Sequence, residues 1–95
     1  MPQDLTALGM VEQSSLRVER AAEDAMLKAA DVKLLVARTI CSGKYMVMVG
    51  GATAEVQASV TAGREASMEA LIDELVIPNV DKRVFPAISG VVQLE

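Results

Sequence analysis

The sequence has no histidine, a single cysteine (Cys41) and only two aromatic residues, Tyr45 and Phe85, among its 95 residues. The absence of histidine excludes histidine-based catalysis and the commonest zinc sites within one chain. One cysteine cannot form an internal disulfide, so any site built on Cys41 needs a second molecule. Without histidine or a second cysteine, the scattered carboxylates form no catalytic constellation, and we expect them to lie on a solvated surface.

Positive charge and long apolar runs are also scarce. The net charge is −4, and no stripe of Lys and Arg is present to release counterions from phosphates, so nucleic acid is not an expected partner. No apolar run approaches the roughly 20 residues that a membrane-crossing helix needs, and the N-terminus lacks the pattern of a signal peptide. We therefore expect a cytoplasmic protein with no membrane partner.

Small apolar residues are abundant: hydrophobic side chains make up 52% of the chain, and they are mainly Ala, Val, Leu, Ile and Met. The length suits one compact domain. Alternating or continuous apolar runs predict strands, and apolar residues spaced by three or four predict helices. The predicted strands are Ala7–Glu12, Val32–Ile40, Tyr45–Val49 and Leu71–Ile77, and the predicted helices are Leu16–Ala30 and Ala54–Met68.

The ends of these elements carry turn and capping residues. Gln13, Ser14 and Ser15 predict a turn and a helix start near Ser15, and Thr53 is a suitable cap for the second helix. Cys41-Ser42-Gly43 predicts a tight hairpin connection, and Gly50-Gly51 predicts a turn that ends the third strand. Gly63, inside the second helix, indicates a close contact, because glycine there costs about 1 kcal/mol relative to alanine.

The order strand, helix, strand, strand, helix, strand is that of the ferredoxin-like split βαβ arrangement. The predicted fold class is therefore α+β, with an antiparallel sheet, both helices on one face and a short C-terminal extension. The predicted domain covers residues 5–90, and residues 91–95 form a tail. The segment from Pro78 onward is too apolar for a solvated tail, so we expect it to pack against the domain or a neighbour.

Three local strings narrow the possibilities, namely Ala7–Glu12 (ALGMVE), Ala25–Val32 (AMLKAADV) and Thr39–Tyr45 (TICSGKY). In their order and spacing they resemble the bacterial microcompartment shell domain, over a stretch from about residue 7 to residue 90. The resemblance implies a structural shell subunit that assembles into a flat cyclic hexamer, or into a pseudohexamer of tandem-domain chains, with a central pore. It also implies that the chain is not itself an enzyme, and that its partners are other shell proteins and encapsulated enzymes.

The same resemblance assigns roles to individual residues. Cys41, Ser42 and Gly43 match the loop that lines the pore on the symmetry axis. Lys28 matches a lysine of the first helix that lies at the edge where hexamers meet. Asn79 lies where many family members have an arginine that caps this edge contact, so the sequence departs from the family pattern there.

A narrower resemblance involves Thr39–Cys41, Gly43-Lys44, Gly50-Gly51 and Pro86–Gly90 (PAISG). These residues are similar to the first domain of the tandem shell proteins of propanediol-utilisation microcompartments, which bind an iron–sulfur cluster at the pore. The resemblance implies a [4Fe–4S] cluster at the symmetry axis, held by Cys41 from several copies. The alternative is that Cys41 is an inert small side chain in a tight turn.

Other functions remain open from the residues alone. Without a cluster, Ser42 hydroxyls, loop N–H groups and Lys44 would favour small polar or anionic metabolites in the pore. A small-molecule regulatory module is the main alternative, because ferredoxin-like domains serve many functions. A redox carrier is a third possibility, and it too requires Cys41 to hold a cluster. For Lys28, the alternative to an edge contact is an ordinary solvated charge on a helix.

Overall fold

The structure is a computed structural model and describes residues 5–14, 19–41, 43–81 and 83–84. Its elements follow the predicted order. They are β1 (Ala7–Gln13), α1 (Glu19–Ala29), β2 (Lys33–Cys41), β3 (Lys44–Gly51), α2 (Thr53–Ser67), a 3-10 turn (Met68–Ala70) and β4 (Leu71–Ile77). The predicted helix start near Ser15 lies outside the described residues.

The four strands form one sheet in the order β2-β3-β1-β4, and every neighbouring pair is antiparallel. Each helix connects two strands that are separated in the sheet by a third, so α1 spans from β1 to β2 and α2 from β3 to β4. This is the split βαβ topology, and the predicted α+β fold class is confirmed. β2 and β4 are the two edge strands.

The core lies between the helices and one face of the sheet. Alternate residues of β1 and β3 that pair across the sheet, such as Val11 with Val47, point to this face. Val56 and Val60 of α2 and Met26 of α1 pack against them. The fully buried members Val11, Met26, Val47, Val49 and Val56 have no exposed surface. At about 25 cal/mol for each Å² of apolar surface removed from water, such burial is the main stabilising contribution.

Glycine permits close packing of α2 against its neighbours. A Cβ atom on Gly9 of β1 would lie 2.6 Å from methyl carbons of both Val56 and Val60. A Cβ on Gly63 of α2 would lie 2.6 Å from Met26 and 3.1 Å from Val11. The close contact predicted at Gly63 is therefore confirmed, and it brings α1, α2 and β1 together.

Two serines of α2 connect the helix to the rest of the core. Ser59 Oγ donates a 2.9 Å hydrogen bond to the backbone oxygen of Met26 in α1. Ser67 Oγ lies 2.8 Å from the oxygen of Gly63 and 2.9 Å from the Gln13 side-chain amide. Both serines are buried, so these contacts satisfy polar groups that water cannot reach.

The single hydroxyl hydrogen of Ser67 determines how the Gln13 amide is oriented. That hydrogen can be donated to only one oxygen at a time, and the Gly63 carbonyl lies at 2.8 Å. Among the described residues Gln13 Nε2 has no hydrogen-bond partner when Oε1 faces Ser67. The opposite amide orientation lets Nε2 donate to Ser67 Oγ while Ser67 donates to Gly63, so we assign that orientation on hydrogen-bonding grounds.

Some predicted boundaries are wrong. Gln13 was expected in a turn, but it is the buried last residue of β1. Gly50 and Gly51 are the last two residues of β3 and not a turn that follows it, because both pair with neighbouring strands. Thr53 does not cap α2, since it is the first helical residue and the capping position is Ala52, which has no side-chain bond.

Candidate functional site

The candidate site is the tip of the β2–β3 hairpin, which we define as residues Cys41 to Lys44. Cys41 pairs with Lys44 across the hairpin, so residues 42 and 43 form the connection between the strands. The connection is tight, as predicted, but Cys41 is the last residue of β2 and is not part of it. The register shifts between Thr39 and Cys41, so the pairing of β2 with β3 is irregular just before the tip.

Gly43 has a backbone conformation that other residues adopt at a cost. Its φ is 77°, in the left-handed region that two-residue hairpin turns require. A Cβ atom added there would meet no heavy atom within 4 Å. Backbone conformation, and not lack of space, therefore explains glycine at this position.

The hairpin tip projects beyond the rest of the sheet. Within the described residues, β3 pairs with β1 only as far as Tyr45 opposite Gln13. Beyond that pair the sheet is reduced to the two strands of the hairpin. Gly43 and Lys44 are both exposed, so the tip presents backbone groups and a positive charge to its surroundings.

Three residues are predicted to line the pore, and the structure describes them to different extents. Gly43 is placed in full, at the tip. The backbone of Cys41 ends β2 beside Lys44, so this cysteine lies at the end of the strand and not, as expected, within the connection. Ser42 lies outside the described residues.

Lys28 and Asn79 lie at the opposite end of the sheet from the hairpin tip. Lys28 is exposed in the last turn of α1, shortly before β2 begins. Asn79 is exposed just after β4, and the next residue, Val80, donates a 2.7 Å backbone hydrogen bond to Thr6 before β1. The starts of β1 and β2 and the ends of β3 and β4 all meet at this end.

Asn79 is explained by its backbone. Its φ is 55°, in the left-handed region that asparagine enters more readily than other residues with a side chain. The residue that replaces the arginine of the family pattern is thus one that suits this bend after Pro78.

An ion pair lies close to Asn79 along the chain. Arg83 Nη2 lies 2.9 Å from Asp81 Oδ2, and the backbone N–H of Arg83 donates to Asp81 Oδ1. The Arg83 side chain lowers the pKa of Asp81 below its ordinary value, and the Asp81 carboxylate raises the pKa of Arg83. Both residues are exposed, so the pair stabilises a local turn more than the fold.

The donor groups of one chain set a limit on metal binding. In the part of the chain that the structure describes, no three His, Cys, Asp or Glu side chains are grouped to hold an ion. A [4Fe–4S] cluster takes about four thiolates, and each chain has one cysteine. Cys41 at the projecting tip fits a cluster only when several copies bring their tips together.

The BMC domain family matches residues 7–80 of the chain, which includes every strand and helix described above. The chain belongs to the BMC-domain shell protein family. This confirms the resemblance predicted from the three sequence strings. No helix among the described residues combines the length and apolar character needed to cross a membrane.

Individual BMC-domain relatives support this assignment. The bacterial microcompartment shell protein PduT of Citrobacter freundii is 45% identical over 84 residues, covering 88% of this chain and 46% of PduT. The major carboxysome shell protein CsoS1A of Halothiobacillus neapolitanus is 38% identical over 85 residues, covering 90% of this chain and 86% of CsoS1A. The chain is thus similar to a bacterial microcompartment shell protein, in agreement with the resemblance found in the sequence.

A solved structure shows the same BMC fold. A microcompartment protein from Desulfitobacterium hafniense DCB superposes with a TM-score of 0.88 and 44% sequence identity, covering 92% of this chain and 48% of that chain. This chain therefore spans about half the length of that protein and of PduT. The predicted limits of the domain, 5–90, and of the tail, 91–95, stay a prediction, because residues 85–95 lie outside the described part.

The sequence reasoning missed the residues at the base of the hairpin tip. Tyr45 is half-buried and packs against the core cluster, and its hydroxyl lies 3.4 Å from Glu23 Oε1 on α1. The alternation of Tyr45, Val47 and Val49 could have placed this ring on the helix-covered face. Nothing in the sequence pairs it with Glu23, because that contact joins residues 22 positions apart.

Proposed function

We propose that this BMC-domain chain is a structural shell subunit that forms a cyclic hexamer with the hairpin tip at the central pore. The observation that carries the proposal is the position of the tip and of Lys28 and Asn79 at opposite ends of the sheet. β3 has eight residues, which at roughly 3.3 Å per residue separates its ends by roughly 23 Å. One end can therefore face a symmetry axis while the other faces a neighbouring ring.

The proposed location is the shell of a bacterial microcompartment, with other shell proteins and enclosed enzymes as partners. The names of PduT and CsoS1A as shell proteins support a structural role rather than an enzymatic one. Similarity to PduT also supports the narrower proposal that the compartment is of the propanediol-utilisation type. Lys28 and Asn79 would then form part of the edge between rings.

In the first form of the proposal, the pore passes metabolites. Each tip exposes Lys44 and the backbone of Gly43. In a ring, the copies of Lys44 would create a positive potential near the axis, because like charges gathered around an opening focus the field there. Such a pore favours small anions over cations of the same size.

In the second form, the pore holds a [4Fe–4S] cluster. The projecting position of Cys41 supports this form, because symmetry would bring one cysteine from each copy to the axis. A bound cluster supplies one-electron transfer, with a potential set by exposure and by hydrogen bonds to its sulfurs. Each chain would contribute the thiolate of its Cys41 and backbone N–H groups of the turn that hydrogen-bond to the sulfurs.

The decisive experiment is native mass spectrometry of anaerobically purified protein together with its visible spectrum. A hexameric or trimeric ring with an absorption band at about 400 nm, typical of thiolate-bound iron–sulfur centres, supports the cluster form. If the band belongs to a cluster on the axis, Cys41→Ala removes it and leaves the ring mass unchanged. A colourless ring supports the metabolite pore.

A monomer or a dimer in the same experiment contradicts the ring. A dimer or tetramer would favour the regulatory-module alternative. Anion preference is tested separately by titrating wild-type rings and Lys44→Glu rings with inorganic phosphate. We expect the Gly43 and Lys44 amide NMR signals to shift only in the wild type.

A further inference from the structure

Two side-chain contacts join the base of the hairpin tip to the helices, one to α1 and one to α2. They lie on neighbouring strands. Gln13, the last residue of β1, is fully buried and lies 2.9 Å from Ser67 of α2. Its partner across the sheet is Tyr45 of β3, whose hydroxyl donates to Glu23 of α1. The pair Gln13 and Tyr45 therefore joins the sheet to α2 on one strand and to α1 on the other.

Tyr45 is the point at which the hairpin leaves the body of the protein. Among the described residues, it is the last one of β3, counted toward the tip, that pairs with β1. Gly43 is only two residues away, which corresponds to roughly 7 Å of strand. A change in the direction of β3 at Tyr45 would consequently move the tip, because among the described residues the tip has a neighbouring strand only within the hairpin itself.

The ring and the hydroxyl of Tyr45 make different contributions. The ring is half-buried against the core cluster, so it keeps β3 in place through apolar contact. The hydroxyl lies 3.4 Å from Glu23 Oε1, a long hydrogen bond, and hydrogen bonds depend on direction as well as distance. The hydroxyl contact therefore constrains the angle between β3 and α1 at the base of the tip.

We propose that Tyr45 is a positioning residue for the hairpin tip, and that its hydrogen bond to Glu23 holds the turn of residues 41–44 at a set angle to α1. The proposal rests on the proposed function in one respect: the positioned turn is the one that lines the pore. The contact itself is a property of one chain. It links the turn to the helix that carries Lys28, so α1 connects the two ends of the subunit.

The test compares Tyr45→Phe and Glu23→Ala with wild type by amide hydrogen exchange. Tyr45→Phe keeps the ring and removes only the hydroxyl. We expect exchange at Gly43 and Lys44 to accelerate roughly three- to tenfold, as expected for loss of one ordinary hydrogen bond. Exchange at Val47 and Val49 in the core should change less. Glu23→Gln keeps a side-chain oxygen that accepts the bond, so it should behave like wild type.

Ser59→Ala is the matched control, because it also removes one hydrogen bond to α1, at the oxygen of Met26, but away from the hairpin. It should accelerate exchange in the core without a particular effect at Gly43 and Lys44. The rate at which an aromatic disulfide reagent modifies Cys41 gives a second readout. We expect this modification rate to change in Tyr45→Phe and in Glu23→Ala. It should stay unchanged in the two controls, Ser59→Ala and Glu23→Gln.

The proposal is overturned if Tyr45→Phe affects Gly43 and Lys44 no more than Ser59→Ala does, or if Glu23→Gln behaves like Glu23→Ala. These outcomes are separable from failure of the proposed function. Native mass spectrometry decides whether rings form, whereas the exchange comparison can be read on any assembly state. A wild-type monomer with an accelerated tip in Tyr45→Phe would contradict the ring and still support the positioning role.

Discussion

A Cβ atom on Gly63 would lie 2.6 Å from both Cγ and Sδ of Met26, so this pair sets how closely α1 and α2 approach. Met26 has no exposed surface and cannot move out into solvent. Val11 of β1 borders the same space, 3.1 Å from the position of the added atom. The contact therefore links both helices to the central strand.

Gly63→Ala should destabilise the fold. Overpacking a filled core costs about 1–3 kcal/mol, which exceeds the roughly 1 kcal/mol that alanine gains in a helix interior. We expect a net loss of up to about 2 kcal/mol in the free energy of unfolding, measured by urea denaturation. Met26→Ala in the same chain makes room for the new methyl group, so the double variant should lose less than the sum of the two single losses. Equal or higher stability of Gly63→Ala would show that the contact is not tight.

Gly43→Ala tests backbone conformation without a steric clash. The φ of 77° places this residue in the left-handed region, and the added methyl group meets no atom within 4 Å. We expect a loss of about 1 kcal/mol in the free energy of unfolding. Gly43→Asn should lose less, because asparagine enters this region more readily. If alanine and asparagine cost the same, the left-handed conformation is not the cause.

Asn79→Arg, which restores the residue common in the family at this bend, should not stabilise the isolated chain. The φ of 55° at Asn79 suits asparagine and glycine better than arginine, so we expect a loss of up to about 1 kcal/mol. Asn79→Gly is the control and should be close to neutral. The unfolding temperatures of wild type, Asn79→Arg and Asn79→Gly test this expectation. A more stable Asn79→Arg protein would mean that a contact of the arginine outweighs the backbone cost.

The Asp81 and Arg83 pair predicts a pH effect at the end of the sheet opposite the hairpin tip. The pKa of Asp81 is lowered by its contact with Arg83, so the pair is intact at neutral pH and is lost as the pH falls through this lowered pKa. Carbon NMR of the Asp81 carboxyl group should therefore give a midpoint below that of an ordinary aspartate. In Arg83→Ala the midpoint should return toward the ordinary value. An unchanged midpoint would show that the pair does not form in solution.

The element order and fold class could be predicted because they depend on local patterns. Apolar alternation in Tyr45–Val49 and helical spacing around Met26 follow directly from strand and helix periods. The tight connection after β2 was predictable for the same reason, since glycine and serine favour turns by their own conformations, although Cys41 itself belongs to the strand. The family resemblance added predicted roles for Cys41 and Lys28, which no local pattern contains.

Boundaries and partners required the folded chain. Gln13 resembles a turn residue in sequence, but in the structure it is the buried end of β1 beside Ser67. Gly50-Gly51 resembles a turn, yet both residues belong to β3. In each case cross-strand pairing outweighed the local preference, as propensity is a weak guide within a sheet.

The sequence by itself determined the class of fold, the hairpin turn and the limit of one thiol per chain, because composition and short-range periodicity act between neighbouring residues. Only the tertiary structure decided that the hairpin tip extends past Gln13, that Tyr45 reaches Glu23, and that Lys28 and Asn79 lie at the far end of the sheet. The physical reason is that strand register and helix packing join residues far apart in the chain. Burial of a shared core selects these contacts, and no local preference encodes them.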